Sequence, residues 1–262
     1  MMFGKLLKYD LRATLRTLLP LWLTTIGLSV VCTLLYGTHI VPQTAMGRFL
    51  LLILPSIALV LLMGAMFTVS VVYMVRGFSR GLLGQEGYLM FTLPVTPTAL
   101  IASKALSALV IELLTGIAAG LCCTLLLTCN STWAELLSFL QEIWTSIGPG
   151  IQAHPDVLPR LCVVFAGMLF WLLALNLHTY LACSVGQLSG KHRKALAIIT
   201  FCAITILLGK LLPAAFSLFD LLPASGGLRD GSLWALVIIP AALCAIYFFA
   251  TRLILARRLN LE

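Results

Sequence analysis

Long stretches without a charged residue recur along this chain, and they constrain its fold more than any other feature. One of them, between Arg48 and Arg76, holds 27 uncharged residues. A helix needs about 20 predominantly apolar residues to cross the hydrocarbon layer of a membrane. Only 10% of all residues are charged and 61% are hydrophobic, whereas a soluble domain carries about 25% charged residues. The sequence therefore predicts an integral membrane protein.

The apolar stretches predict an all-α fold with six transmembrane helices in a single domain, residues 1–262. Helices are expected rather than a barrel, because the short alternating strands of a membrane barrel are absent. The predicted spans are Leu18–Tyr36, Phe49–Tyr73, Thr98–Cys129, Leu161–Leu188, Ala195–Leu212 and Ser232–Thr251.

The lysines and arginines predict the orientation of these spans, because cytoplasmic loops carry an excess of both residues. One side of the predicted topology holds 13 of the 17 basic residues. Both termini of this multi-pass protein should then lie in the cytoplasm. The net charge of +8 is a topology signal that faces anionic lipid, so no nucleic-acid partner is expected.

The first residues predict a helix that lies along the cytoplasmic membrane surface, residues 3–18. Basic and apolar side chains fall on different faces at helical spacing, as in an interfacial amphipathic helix. A signal peptide is disfavoured because no small-residue cleavage site follows. Proline disrupts the continuation of a helix, so the chain is expected to turn into the first span at Pro20.

Motifs of catalysis and metal binding are missing from the sequence. The chain has no phosphate-binding loop, no HExxH, no GxSxG and no paired acids within a span. Most of the eight cysteines fall in predicted spans, where they act as small apolar residues, and none shows zinc-site spacing. We therefore predict no catalytic residue, no metal site and no cofactor bound by this chain.

A segment between the second and third spans, residues 76–97, combines apolar side chains with helix-breaking residues. Its core, EGYLMFTLPVTP, begins at Glu86 and ends at Pro97. Glycines before the apolar residues and prolines after them limit the length of any helix there. Such an element either folds back onto the membrane surface or docks into another protein.

Two motifs resemble permease subunits of bacterial ABC transporters of the type-2 exporter class, especially the small Firmicutes-type permeases. They are MFGKLLKYDLRATLRTLLP at the start and EGYLMFTLPVTPTALIASK after the second span. The resemblance implies that segment 76–97 is a coupling element that binds a separate ATPase subunit, which itself holds ATP and magnesium. It also implies a second permease subunit and export of a lipid, peptide or drug-like amphiphile. The implied ATPase contacts are Glu86, Gly87, Tyr88, Phe91, Leu93 and Pro94.

Two segments are predicted to lie outside the membrane, 130–157 and 213–231. The first carries Trp133, Leu137, Leu140 and Trp144 at helical spacing and predicts an outer interfacial helix. The second predicts a short re-entrant pair, broken at Pro213 and Pro223.

Polar residues within spans are candidates for a translocation path, because burying them in lipid is unfavourable. They are Glu112, Asn176, Tyr180 and Gln187. The same residues could instead only join helices by hydrogen bonds. Two other functions stay open at this point: a non-transporting immunity or sensory component, and an intramembrane enzyme that uses Glu112 and His178.

Overall fold

The computed structural model describes residues 2–37, 45–48, 50, 53–83, 96–127, 138, 141–142, 145, 157–189, 192–220 and 231–257. All regular structure in these ranges is helical. The helices are α1 Met2–Gly37, α2 Ala45–Arg48, α3 Leu54–Leu83, α4 Pro97–Leu127, α5 Val157–Gly186, α6 Arg193–Asp220 and α7 Gly231–Arg257.

Six of these helices, all except the short α2, are long and apolar enough to cross a membrane. The expected all-helical fold with six apolar helices of spanning length is therefore confirmed for the described residues. The main difference lies in helix length, because α3 continues past Tyr73 to Leu83. Hydropathy locates the apolar part of a helix, whereas the backbone hydrogen bonds of α3 continue into a more polar stretch that contains Arg76 and Ser79.

The expected turn at Pro20 is not observed, because α1 runs through this proline as one helix. A proline within a helix removes one backbone hydrogen bond and crowds the preceding turn. Packing on both sides of Pro20 offsets this loss, since Leu18 and Trp22 are both buried in one apolar cluster. The position of residues 3–18 relative to a membrane surface stays a prediction.

The re-entrant break expected at Pro213 is not observed either, since α6 continues through it to Asp220. Pro223 lies outside the described residues. Of the outer segment 130–157, the structure describes only Ser138, Gln141, Glu142, Thr145 and Val157, all of them helical. The tryptophans and leucines that predicted the outer helix are outside the described part of the chain.

The chain divides into two compact units. Unit 1 comprises Met1–Asp10, Met74–Leu109 and His154–Glu262. Its core takes side chains from the end of α3, the start of α4, α5 and α7, among them Phe78, Ile101, Leu177, Tyr180 and Tyr247.

Two glycines of α5 permit close helix packing in unit 1. A Cβ atom at Gly167 would lie 2.9 Å from the carbonyl oxygen of Leu236 in α7. A Cβ atom at Gly186 would lie 2.7 Å from the carbonyl oxygen of Arg193, where α6 begins. Side chains larger than hydrogen would push these backbones apart, so both glycines set the distance between α5 and its neighbours.

Unit 2 comprises Leu11–Tyr73 and Val110–Ala153. Its core includes Leu18, Trp22, Met66 and Ile111, from α1, α3 and α4. Thr33 of α1 donates a hydrogen bond to the carbonyl oxygen of Leu125 in α4, at 3.0 Å. Polar side chains commonly join membrane helices in this way.

Candidate functional site

The predicted ATPase contacts lie in a part of the chain that the structure does not describe. Residues 84–95 include all six of them, Glu86, Gly87, Tyr88, Phe91, Leu93 and Pro94. The helices on both sides of this segment are described, because α3 ends at Leu83 and α4 begins at Pro97. The candidate site therefore consists of the described residues that pack around the end of α3 and the start of α4, on the two sides of segment 84–95.

Thr96 caps the start of α4, directly after the segment. Its side-chain oxygen accepts a hydrogen bond from the backbone N–H of Ala99 at 3.4 Å. Its carbonyl oxygen accepts from the N–H groups of Ala99 and Leu100. Pro97 occupies the first helical position, where its missing N–H has no helical partner to lose. The sequence TPT thus fixes where the segment ends and α4 begins.

An ion pair in unit 1 joins the start of α4 to α1. The Nζ atom of Lys104 lies 2.6 Å from Oδ1 of Asp10. The two side chains are only 10% and 19% exposed, so the pair is mostly shielded from solvent. Buried charges are stable only when they are paired and hydrogen-bonded. This pair therefore fixes the N-terminal helix against α4.

Tyr180 of α5 contacts the same place through the backbone of Lys104. Its hydroxyl donates to the Lys104 carbonyl oxygen at 3.2 Å, and the hydroxyl of Ser107 donates to that oxygen at 2.9 Å. The ring of Tyr180 stacks on Phe78 of α3, with centroids 4.1 Å apart and planes 6° apart. Both side chains are almost completely buried, so the stack also excludes water.

The last turns of α3, which lead into segment 84–95, also lie close to the ion pair. A Cβ atom at Gly81 would lie 3.5 Å from the Nζ atom of Lys104. The helix that leads into the segment therefore lies against the lysine of the helix that follows it. We call the set Asp10, Phe78, Gly81, Lys104 and Tyr180 the anchor cluster. All of its members belong to unit 1.

The sequence patterns selected neither Lys104 nor Asp10 as a site residue. The sequence did contain a signal that singles out Asp10, because it is the only acidic residue among the first 85. Lys104 lies seven residues beyond the start of α4, about 10 Å into that helix at 1.5 Å per residue. A lone acid in a basic helix and a lysine within a span are each unfavourable without a partner. Only the tertiary structure shows that they partner each other.

The predicted path residues are divided between the two units. Glu112 belongs to unit 2, whereas Asn176, Tyr180 and Gln187 belong to unit 1. Asn176 is buried and donates from Nδ2 to the Leu172 carbonyl oxygen of its own helix at 3.0 Å. Gln187 follows the last residue of α5, and its backbone N–H donates to Cys183. The contacts described for Asn176 and Tyr180 are packing contacts, and a path stays a prediction.

His178, which sequence analysis associated with an enzyme, is buried in unit 1 among aromatic rings. It stacks on Phe201 with centroids 4.6 Å apart and on Tyr247 with centroids 5.4 Å apart. Glu112, its proposed catalytic partner, belongs to the other unit. No group of three or more metal-ligating side chains occurs among the described residues.

None of the cysteines that the structure describes forms a disulfide with another described cysteine. Cys244 of α7 donates a hydrogen bond to the Phe170 carbonyl oxygen of α5 at 3.4 Å. Cys129 lies outside the described residues. The described cysteines therefore act as small side chains in helix packing or at the helix surface.

Comparisons with protein-family models, with curated proteins and with solved structures gave no match.

Proposed function

We propose that this chain is the permease subunit of a bacterial ABC exporter, driven by a separate ATPase that docks at residues 86–97. One observation carries the proposal beyond the resemblance. The N-terminal motif contains Asp10 and the motif after the second span ends at Lys104, and these two residues form the buried ion pair. The two segments that carry the resemblance are thus physically connected.

The anchor cluster gives segment 84–95 the connections that a coupling element needs. A displacement of the segment would be transmitted to the last turn of α3 and, through the Thr96 cap, to the start of α4. Lys104 connects α4 to α1 through Asp10 and to α5 through Tyr180. Short contacts between buried groups resist independent sliding, so these helix ends are expected to move as one body. Rigid-body movement of helices is a common way to switch between two states.

The proposed assembly contains two permease chains and two ATPase subunits, because a closed twofold arrangement is the simplest one for such an assembly. ATP and magnesium bind to the ATPase, and this chain holds no cofactor. The complex lies in the plasma membrane with both termini of the permease in the cytoplasm. The resemblance points to a lipid, a peptide or a drug-like amphiphile as the exported compound.

The decisive experiment measures how tightly the purified permease in nanodiscs binds an ABC ATPase subunit that copurifies with it. Truncating a central aromatic anchor of an interface costs about 2 kcal/mol or more. Phe91→Ala should therefore weaken ATPase binding at least about thirty-fold, at 1.4 kcal/mol per factor of ten. Phe249→Ala is the matched control, because Phe249 is an exposed aromatic of α7 outside the segment, and its variant should bind normally.

Unchanged ATPase affinity in both Phe91→Ala and Glu86→Ala would reject docking at this segment. A permease function further requires that ATP turnover of the complex responds to a transported compound. An ATPase that binds normally but whose turnover responds to no amphiphile would favour the non-transporting alternative.

A further inference from the structure

Three of the buried polar atoms that have no hydrogen-bond partner among the described residues lie on facing helices of unit 1. They are Nε2 of His178, the phenol oxygen of Tyr247 and Oγ1 of Thr251. The side chains are deeply buried, with 3%, 5% and 0% of their surfaces exposed. His178 lies on α5 and the other two on α7, and these helices pack together. Buried polar groups in proteins are nearly always hydrogen-bonded, so these three unsatisfied atoms require an explanation.

Thr251 differs from comparable threonines in the described helices. Thr115 and Thr200 each donate to the carbonyl oxygen four residues earlier, at 2.8 Å. This internal bond is the usual way for a helical threonine to satisfy its hydroxyl in an apolar environment. Thr251 makes no such bond. Its hydroxyl is therefore available to a partner other than its own helix.

The rings of His178 and Tyr247 meet between α5 and α7, and Thr251 follows Tyr247 one helical turn later on α7. The rings of His178 and Tyr247 stack with centroids 5.4 Å apart and planes 26° apart. Tyr247 and Thr251 are four residues apart on α7 and share one face of that helix.

We propose that His178, Tyr247 and Thr251 form a binding site for internal water between α5 and α7. A buried water makes about three hydrogen bonds to otherwise unsatisfied groups. The two hydroxyls can each donate and accept, and an imidazole nitrogen supplies a third contact. None of the groups is a carboxylate or an ammonium, so the chemistry fits a small neutral hydroxylic ligand rather than an ion. Thr251 precedes the exposed Arg252, which places the site near the end of the apolar span Leu233–Leu255.

Isosteric removal of each hydroxyl tests the site in the intact permease. Tyr247→Phe keeps the stacked ring and Thr251→Val keeps the side-chain shape. If water bridges the groups, each variant should raise the unfolding equilibrium constant about tenfold, equal to about 1.4 kcal/mol. In the double variant the unfolding equilibrium constant should rise by much less than about a hundredfold, the product of two independent tenfold effects, because both hydroxyls bind the same water. Thr115→Val is the control for replacing a buried threonine whose hydroxyl is satisfied within its own helix.

Two results would overturn the proposal. If both single variants are as stable as the natural protein or more stable, the hydroxyls have no partner and the site is dry. The proposal is also overturned if a high-resolution cryo-electron microscopy map in nanodiscs resolves other buried waters but shows none within hydrogen-bond distance of Thr251 and Tyr247. Density at that place which disappears in the double variant would support the water site.

Discussion

Replacing Lys104 with methionine leaves the Asp10 carboxylate without its ammonium partner in a mostly buried place. At 2.6 Å and an effective dielectric constant of about 20, the gross attraction of the pair is about 6 kcal/mol. Desolvation of two ions costs several kcal/mol each, so the pair as a whole contributes little net stability. Removing one partner is different, because the remaining charge keeps its desolvation penalty and loses its compensation.

Breaking a buried pair in this way destabilises a protein by about 3–5 kcal/mol. Asp10 keeps 19% of its side chain exposed, so we expect about 3 kcal/mol for Lys104→Met. Asp10→Asn should have a similar effect. The double variant should be more stable than the sum of the two losses predicts, because neither charge is then left alone. Lys8→Met is the control, since Lys8 is an exposed lysine of the same helix as Asp10.

The assay is reversible unfolding of the purified protein in detergent micelles, followed by helix content as denaturant increases. Free energies of unfolding of the natural protein, both single variants, the double variant and Lys8→Met give a complete thermodynamic cycle. Losses below about 1 kcal/mol that add independently would be typical of a solvated surface pair. That result would refute the argument that Asp10 and Lys104 fix α1 to α4.

Three further predictions concern packing, the anchor cluster and topology. Gly167→Ala should destabilise the protein by about 1–3 kcal/mol through its clash with the α7 backbone, as measured by denaturant unfolding. Gly209→Ala has no atom within 4 Å of the new methyl group and should stabilise α6 by up to about 1 kcal/mol. Tyr180→Phe should cost about 1 kcal/mol in the same assay, because it loses one hydrogen bond but keeps the stack on Phe78. A cysteine introduced at Gln85 should resist a membrane-impermeant thiol reagent in intact cells and react after the cells are opened.

Each of these predictions has a result that would contradict it. Equal stability of the two glycine variants would show that α5 and α7 separate easily at Gly167. A loss above about 3 kcal/mol in Tyr180→Phe would assign the hydroxyl a role beyond one hydrogen bond. Labelling at Gln85 from outside intact cells would reverse the predicted topology and remove the docking argument.

The sequence alone determined the class of fold, because a membrane core without water leaves few ways to satisfy a polypeptide backbone. Uncharged stretches of spanning length therefore sufficed to predict six apolar helices. The sequence was a less reliable guide where the local conformational preference of a residue conflicts with the packing of its neighbours. Pro20 and Pro213 signal helix breaks locally, yet α1 and α6 continue through them. At Pro20 the burial of Leu18 and Trp22 outweighs the lost backbone bond.

Contacts between distant residues were decided only by the tertiary structure. Asp10 and Lys104 are 94 residues apart, and no spacing rule connects an acid of the first helix to a lysine of the fourth. The same holds for Tyr247 and His178, whose unsatisfied atoms become notable only when both are known to be buried. The composition of each helix and the spacing of its apolar residues reflect the solvent that the helix faces. Which distant side chains contact each other depends instead on which helices pack together and on how each helix is rotated about its axis.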